Sequence, residues 1–226
     1  ANLLHKLITE KHVYLNGCIV DTRSNIVLND KITVNLDFEE DSNNIISTSI
    51  PLDIIYEDDC FLILNKPAGI AVHPSILHYS ESLANGVKFY FEQKCIKRKI
   101  RPVTRLDLNT SGIIIFAKNQ YVQECLIKQM NNNIFKKYYI AIVEGIFKKK
   151  TGSINLPIDR KENSIIERCI CKNGKTAITD YQVIAEYNNF SVVKCLLQTG
   201  RTHQIRVHMS AIGHPLLGDT LYGTSS

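Results

Sequence analysis

Residues 105–112 read RLDLNTSG and run directly into the apolar sequence IIIFA of residues 113–117. This apolar run predicts a buried strand, because β-branched and aromatic side chains pack well on a sheet. The loop before it concentrates charged and hydroxyl groups where the chain enters the core, and such groups are costly there unless they bind one another or a ligand. Asp107 is therefore a candidate catalytic residue. The structural alternative is a turn in which Asp107 accepts hydrogen bonds from Thr110 or Ser111.

Short strand-like runs recur on both sides of this segment and set the fold class. They cover residues 54–56, 61–64, 138–143, 179–185 and 191–197. Helical patterns fall near residues 82–93, 120–130 and 204–212. Because the strands follow one another without regular helical crossovers, we expect an α+β fold with a largely antiparallel, mixed sheet.

The chain divides into three predicted segments. Residues 1–38 read as a small α/β module with a helical turn and an Asn16-Gly17 hairpin signal, since both positions of such a turn favour positive φ. Residues 39–50 are acidic and rich in Asn and Ser, the composition of a linker. Residues 51–226 are expected to form the catalytic domain.

The charge pattern fits a polyanionic partner without requiring one. Lys and Arg total 27 against 22 Asp and Glu, a net charge of +5. Short cationic runs occupy residues 97–101, 136–137 and 148–150. Such runs contact phosphates in nucleic-acid-binding proteins, but they are equally typical of solvated loops and helix ends.

The cysteines and the absence of targeting signals predict a cytoplasmic protein that does not enter a membrane. Seven cysteines without a repeated framework favour free thiols in a reducing compartment. Cys169 and Cys171 lack a second ligand pair at zinc spacing, so incidental thiols are favoured over a metal site. We recognise no signal peptide and no apolar run long enough to span a bilayer.

A second polar constellation occupies residues 199–209, where two arginines and two histidines fall within eight residues. If the segment from Gln204 is helical, Gln204 and His208 share one face. His203 and His208 then lie about 140° apart around the helix, which argues against a shared metal ion. We therefore expect no metal.

Four segments in order resemble the motifs of RluA-type pseudouridine synthases. They are the sheet-edge loop at residues 65–74, the catalytic motif at 105–112, the tyrosine motif at 137–145 and the arginine motif at 200–209. The resemblance implies a catalytic domain of pseudouridine-synthase type. Residues 1–38 are similar to the later part of an S4 RNA-binding domain. Thr104 is a departure, because many members carry His at that position.

The resemblance also implies a function. It is the isomerisation of uridine to pseudouridine in structured RNA, without a cofactor, by a flipped base. Ribosomal RNA of the large subunit is the expected substrate and transfer RNA the alternative. We expect a monomer without an obligate protein partner.

The resemblance assigns roles to six residues. Asp107 attacks the sugar or removes its 2′ proton, Tyr139 contacts the uracil, and Arg206 pairs with Asp107. Arg105, Arg201 and His203 are expected to bind RNA. Loss of Arg206 is then expected to cost activity and about 3–5 kcal/mol of stability, as an unpaired buried carboxylate does.

Other function classes fit the sequence less well. A serine hydrolase lacks its G-x-S-x-G elbow, and a zinc deaminase lacks H-x-E with P-C-x-x-C. A non-catalytic RNA-binding module explains the basic runs and the S4-like segment. It leaves the presence of both Asp107 and Arg206 unexplained.

Overall fold

The structure is a computed structural model that describes residues 2–75 and 78–223. The chain divides into two compact units, residues 1–128 and 129–226, and the boundary lies in the last turn of a helix, α3. No helix within the described residues is long and apolar enough to cross a membrane.

The first unit begins with a small sheet against a helix. Helix α1 (Asn2–Thr9) precedes strands β1 (Val13–Leu15), β2 (Cys18–Ile19) and β3 (Ile32–Val34), which form an antiparallel sheet in the order β2-β1-β3. Asn16 and Gly17 both have positive φ, which confirms the two-residue turn that the sequence predicts. Leu3, Leu7 and Val13 form the core of this part.

A second antiparallel sheet carries the rest of the first unit. Its strands are β4 (Ile54–Glu57), β5 (Phe61–Lys66) and β6 (Gly112–Ala117), in the order β4-β5-β6, and helices α2 (Leu83–Gln93) and α3 (Gln120–Asn131) follow β5 and β6. The centre of its hydrophobic core comprises Leu62, Leu64, Leu83, Val87, Ile114 and Phe116. The fully buried Ile114 and Phe116 confirm that the run after the Asp107 loop is a core strand.

Residues 37–50, here called the strap, form no regular element but pack closely against the first unit. Ser42 accepts a hydrogen bond from the Ile100 amide at 2.9 Å, and the Ile46 carbonyl accepts one from Asn85 on α2 at 2.8 Å. A Cβ at Gly86 would lie 3.0 Å from Ile50 Cβ, so this helix surface is closely covered. The stretch with linker composition is thus part of the packed unit.

The cationic run at residues 97–101 is largely engaged by acids of the strap. Lys97 pairs with Glu39 at 2.8 Å. Arg98 pairs with Asp37, and Arg101 pairs with Glu40. These three cations pair with acids of the strap in the structure, and the phosphate contact that the sequence suggests for this run stays a prediction.

The second unit is built on a four-stranded antiparallel sheet. Its strands are β7 (Lys137–Glu144), β8 (Thr151–Asn155), β11 (Ile178–Glu186) and β12 (Phe190–Leu197), in the order β7-β12-β11-β8. A hairpin of β9 (Ile158–Arg160) and β10 (Arg168–Ile170) and helix α4 (Gln204–Ala211) complete it. Met209 of α4 packs into a core with Val143, Ile154 and Val193.

The expected fold class is confirmed. Helices and antiparallel sheets occur in the order that the sequence patterns predict, but β8, β9 and β10 were not predicted. These three strands are only three to five residues long, and β9 and β10 pair chiefly with each other. The boundaries at residues 38 and 50 stay a prediction, as does the S4 likeness of residues 1–38.

Candidate active site

Asp107 lies in the loop that leads into β6, and backbone hydrogen bonds fix the conformation of this loop. Before it, the Val103 amide donates to the Ile115 carbonyl at 2.8 Å. After it, the Thr110 amide donates to the main-chain carbonyl of Asp107 at 3.1 Å, which closes a tight turn. The turn alternative is thus present in the backbone, and it leaves the role of the Asp107 carboxylate open.

Lys66 holds this loop from beneath. Its side chain is fully buried at the end of β5, and Nζ donates to the carbonyls of Pro67 at 2.8 Å, Ile70 at 2.8 Å and Leu108 at 3.0 Å. Burial lowers the pKa of Lys66, and the negative charge of Asp107 opposes that shift. The ammonium thus joins the sheet-edge loop to Leu108, the residue after Asp107. It also places a positive charge near the Asp107 carboxylate.

Gly69 provides a second link between the same two loops. Its amide donates to the Leu108 carbonyl at 2.9 Å, and its φ of +85° is one that L side chains rarely adopt. The two motifs at residues 65–74 and 105–112 therefore form one connected structure.

Arg105 lies near His73, a residue of the sheet-edge loop. Both residues keep solvent contact. Surrounding protein atoms, and then the positive charge of Arg105, lower the pKa of His73. At neutral pH this surface therefore carries the positive charge of Arg105 and, next to it, the neutral imidazole of His73.

The polar face of α4 is buried rather than presented to solvent. Gln204 Nε2 donates to the Ile178 carbonyl at 3.0 Å and to Thr179 Oγ1 at 2.9 Å, while its Oε1 accepts from the Arg201 amide at 2.9 Å. His208 Nδ1 lies 2.9 Å from Thr179 Oγ1 and Nε2 lies 2.9 Å from the Leu156 carbonyl. Gln204 and His208 thus fasten the helix to β11.

The contacts of His208 define its state. Since a carbonyl can only accept, Nε2 carries the hydrogen, and Nδ1 accepts from the Thr179 hydroxyl. Burial lowers the pKa of His208, so the ring is neutral at pH 7. With both nitrogens engaged, His208 cannot serve as a metal ligand here. In residues 2–75 and 78–223 no group of three or more His, Cys, Asp or Glu side chains could hold a metal ion.

Arg206 projects from α4 into an ion pair with Asp219. Its Nε donates to Asp219 Oδ2 and its Nη2 to Oδ1, both at 2.7 Å. Burial alone would raise the pKa of Asp219, but hydrogen bonds from Arg206 and from the Leu221 and Tyr222 amides outweigh it and lower that pKa. Asp219 is therefore a charged partner of Arg206 that sequence reasoning did not identify.

Tyr222 connects Arg206 to His203. The Arg206 guanidinium carbon lies 4.9 Å from the centre of the Tyr222 ring. The Tyr222 hydroxyl lies 2.7 Å from His203 Nδ1 and accepts from the Arg168 amide at 2.8 Å. His203 itself precedes α4 with a φ of 58°. The predicted RNA-binding residue His203 thus also contacts the loop that holds Arg206.

Tyr139 lies on β7 opposite Cys195 of β12. Its half-buried side chain packs against the core cluster that contains Ala141 and Val143. This placement suits both a core tyrosine and a ring whose outer part contacts a substrate.

Lys137 and Arg201 bring two cations together near Gly200. Burial, and then the positive charge of Arg201, lower the pKa of Lys137. A Cβ at Gly200 would lie 3.1 Å from Lys137 Nζ, so the missing side chain gives the lysine room. Arg201 is anchored by a bond from its Nε to the Thr176 carbonyl at 2.9 Å.

The six predicted site residues thus fall into two groups. Asp107 and Arg105 lie in the first unit, and the other four lie in the second. The predicted pairing of Asp107 with Arg206 stays a prediction. Reasoning from sequence missed the supporting roles of Lys66, Asp219 and Tyr222. The usable signal for Lys66 was a lysine that ends an apolar strand directly before Pro67.

Comparison with known proteins identifies the family. Residues 60–211 match the family model described as RNA pseudouridylate synthase. The uncharacterized RNA pseudouridine synthase YjbO of Bacillus subtilis is 38% identical over 209 residues, covering 92% of this chain and 74% of that protein. The ribosomal large subunit pseudouridine synthase D of Zymomonas mobilis is 35% identical over 241 aligned positions, covering 100% of this chain and 75% of that protein.

Structural similarity agrees with these matches. The structure of human RNA Pseudouridylate Synthase Domain Containing 1 superposes with a TM-score of 0.65 at 28% identity, covering 78% of this chain and 71% of that chain. The matched motifs contain the Asp107 loop, the tyrosine strand and the arginine helix described above. The chain therefore belongs to the RluA-type family and is an RNA pseudouridine synthase, an isomerase.

Proposed function

We propose that the protein converts uridines of large-subunit ribosomal RNA to pseudouridine and that Asp107 acts on the ribose of the target nucleotide. The observation that carries the role of Asp107 is the attachment of its loop: the buried Lys66 ammonium bonds the Leu108 carbonyl of this loop and the Pro67 and Ile70 carbonyls of the sheet-edge loop. An acid that must react with a sugar carbon gains from being ionised and held in one orientation. The Lys66 ammonium also places a positive charge near the Asp107 carboxylate.

The reaction needs no oxidant or reductant. The N1–C1′ bond of uridine breaks, the uracil turns, and a C5–C1′ bond forms. C5 loses its proton and N1 ends with one, so the product is an isomer. Asp107 either attacks C1′ and forms a sugar ester, as glycosidase carboxylates do, or removes the 2′ proton. Both routes require an ionised carboxylate held next to the ribose.

We assign Tyr139 to the uracil and Arg206 to the reacting acid. A tyrosine ring can stack on the base while it turns, and its hydroxyl can assist removal of the C5 proton. The planar guanidinium of Arg206 suits a carboxylate, because two parallel N–H groups match the two oxygens. Its bidentate bond to Asp219 supports a fixed orientation of that group.

The RNA contacts follow from the exposed cations. A stacked uridine cannot present C1′ and C5 to a carboxylate, so the nucleotide must leave the stack at a cost of a few kcal/mol. Arg105 next to the Asp107 loop is suited to fill the space that the base leaves, since guanidinium stacks on bases. Arg201 beside Lys137, and His203, are assigned to the RNA backbone.

The large ribosomal subunit is proposed as the substrate because several similar proteins carry that name. The Zymomonas mobilis relative is one, and the ribosomal large subunit pseudouridine synthase D of Borreliella burgdorferi, 39% identical over 197 residues, is another. Transfer RNA is the alternative substrate, and the experiment below separates the two.

The test measures release of tritium from C5 of uridine. Ribosomal and transfer RNA are labelled at that position in a strain that lacks the enzyme, purified separately and incubated with wild-type protein or Asp107→Asn. We expect wild type to release label from ribosomal RNA and Asp107→Asn to release none while still binding the RNA on filters. Release from transfer RNA alone would contradict the proposed substrate. Equal release by Asp107→Asn would contradict the proposed role of Asp107.

A further inference from the structure

The loop at residues 218–223 forms a cradle for Arg206. Three features converge on the guanidinium or on its partner: the Asp219 carboxylate, the Tyr222 ring and the backbone amides that follow Asp219. None of them lies in the arginine motif of residues 200–209, and they are brought to it only by folding.

The carboxylate of Asp219 is itself fixed before it meets Arg206. Its side chain is 3% exposed, and Oδ1 accepts from the Leu221 amide at 2.9 Å and the Tyr222 amide at 3.1 Å. Gly218, directly before it, has a φ of +73°, which suits glycine in this sharp turn. The acid is thus held by its own backbone and cannot easily follow a moving partner.

The Arg206 side chain is less enclosed than its partner, at 22% exposed. Asp219 engages Nε and one hydrogen of Nη2. A guanidinium has five N–H groups, so the second Nη2 hydrogen and both Nη1 hydrogens are directed away from Asp219. That outer edge has the geometry to bind a second carboxylate or a phosphate while the inner edge stays with Asp219.

The Tyr222 ring restricts the tilt of the Arg206 guanidinium plane, which the bonds to Asp219 leave free. The bidentate bond fixes rotation within the plane of the guanidinium, and the ring against its face, 4.9 Å from ring centre to guanidinium carbon, fixes the plane itself. Tyr222 is in turn held by the Arg168 amide, and its carbonyl accepts from Ser210 of α4 at 2.9 Å.

We propose that Asp219 is a positioning residue that, together with the ring of Tyr222, presents the outer edge of the Arg206 guanidinium to the reacting acid or the RNA. The proposal rests on the function proposed above for Arg206. It differs from a purely structural role, in which the Asp219 pair would only tie the loop to α4 and would leave the rate of the chemical step unchanged.

The test uses Asp219→Asn, which keeps the size of the side chain and one acceptor but cannot accept two charge-assisted bonds. Rates are measured in single turnover with enzyme in excess over C5-tritiated ribosomal RNA, and RNA affinity is measured separately on filters. We expect the rate constant to fall about 10-fold to 100-fold, the range that misplacement of a catalytic group produces, with RNA affinity within about twofold of wild type.

Two further variants separate positioning from stability. Glu40→Gln removes a buried carboxylate that pairs with Arg101 in the first unit, so it is the matched control and should keep the wild-type rate constant. Arg206→Lys removes the fork, and Asp219→Asn added to it should slow the reaction no further, because Asp219 then has no guanidinium to orient. Independent, multiplying effects of the two changes would overturn the proposal.

Hydrogen exchange at Arg206, which can be measured without catalytic activity, tests the positioning role of Asp219 separately from the proposed function. The Nε–H of Arg206, assigned in nitrogen-15 spectra by its loss in Arg206→Lys, should exchange slowly in wild type and faster in Asp219→Asn. If wild type releases no tritium, the proposed function fails while this signal still decides the positioning. Unchanged exchange in Asp219→Asn, or an unchanged rate constant in active enzyme, would refute it.

Discussion

Replacing Lys66 by methionine tests whether the buried ammonium maintains the Asp107 loop. Methionine has a similar length and fills the same space, but it leaves the Pro67 and Ile70 carbonyls without the Nζ donor. The Leu108 carbonyl keeps its bond from the Gly69 amide. The change therefore isolates the polar contribution of one side chain that is 0% exposed.

The magnitude follows from these contacts. A buried acceptor that loses its partner costs about 1–3 kcal/mol, and the bonds to the Pro67 and Ile70 carbonyls are only partly buried, so each loss lies near the lower end of that range. Burial of methionine instead of an ammonium offsets part of this, because a buried charge is costly to desolvate. We expect a net loss of about 1–2 kcal/mol in the free energy of unfolding, together with a fall of at least about 10-fold in the rate of tritium release, since the Asp107 loop loses the Lys66 bond to Leu108 and the positive charge near its carboxylate.

Urea unfolding and single-turnover tritium release measure the two effects. Lys118→Met is the matched control, because Lys118 is also a buried lysine of the first unit but pairs with Glu57 at 2.8 Å rather than with the loop. The control should lose stability and keep its rate. Wild-type stability and rate in Lys66→Met would refute the reasoning, and equal rate losses in both variants would show that the effect is not specific to the loop.

Three further predictions address other parts of the molecule. Tyr139→Phe should keep RNA affinity and, if the hydroxyl assists removal of the C5 proton, should slow tritium release in single turnover; an unchanged rate would limit Tyr139 to stacking. Because burial lowers the pKa of His208, the unfolded state binds the proton more readily than the folded state. The contribution of the neutral ring to the free energy of unfolding should therefore be fully present above pH 6.5 and should decrease as the pH falls below it. Melting curves between pH 7.5 and 5.5 should show this fall more weakly in His208→Gln, and an equal fall in both proteins would contradict the assignment. Glu40→Gln should lower the melting temperature and speed proteolysis of the strap, because Glu40 bonds Arg101 and lies 3.8 Å from Lys6; wild-type protease resistance would show that packing alone holds the strap.

The ion pair between Arg206 and Asp219 changes what a stability measurement on Arg206→Ala can show. The sequence predicts that Arg206→Ala loses stability through an unpaired Asp107. Since Arg206 also pairs with the buried Asp219, the same loss would occur whether or not Asp107 is its partner. Rates, rather than melting curves, must therefore decide the Asp107 pairing.

The sequence by itself determined the fold class, the position of most elements and the family. Strand periodicity and β-branched runs are local signals, so the core strands around residues 61–66 and 112–117 could be read directly. The four ordered motifs likewise lie in contiguous stretches. They identified Asp107, Tyr139 and Arg206 as site candidates without knowledge of any contact between them.

Tertiary structure decided which side chains support those candidates. The sequence could not show that Lys66 bonds a carbonyl 42 residues away, that Asp219 receives Arg206, or that the acids of the strap engage the run at 97–101. These partners are distant in sequence, and pairing between them depends on the register of strands and the path of loops. Tertiary structure also decided the surroundings of Gln204 and His208, whose hydrogen bonds are satisfied inside the protein. Local patterns specify elements, whereas the choice of partner for a buried charge is made only when the whole unit has folded.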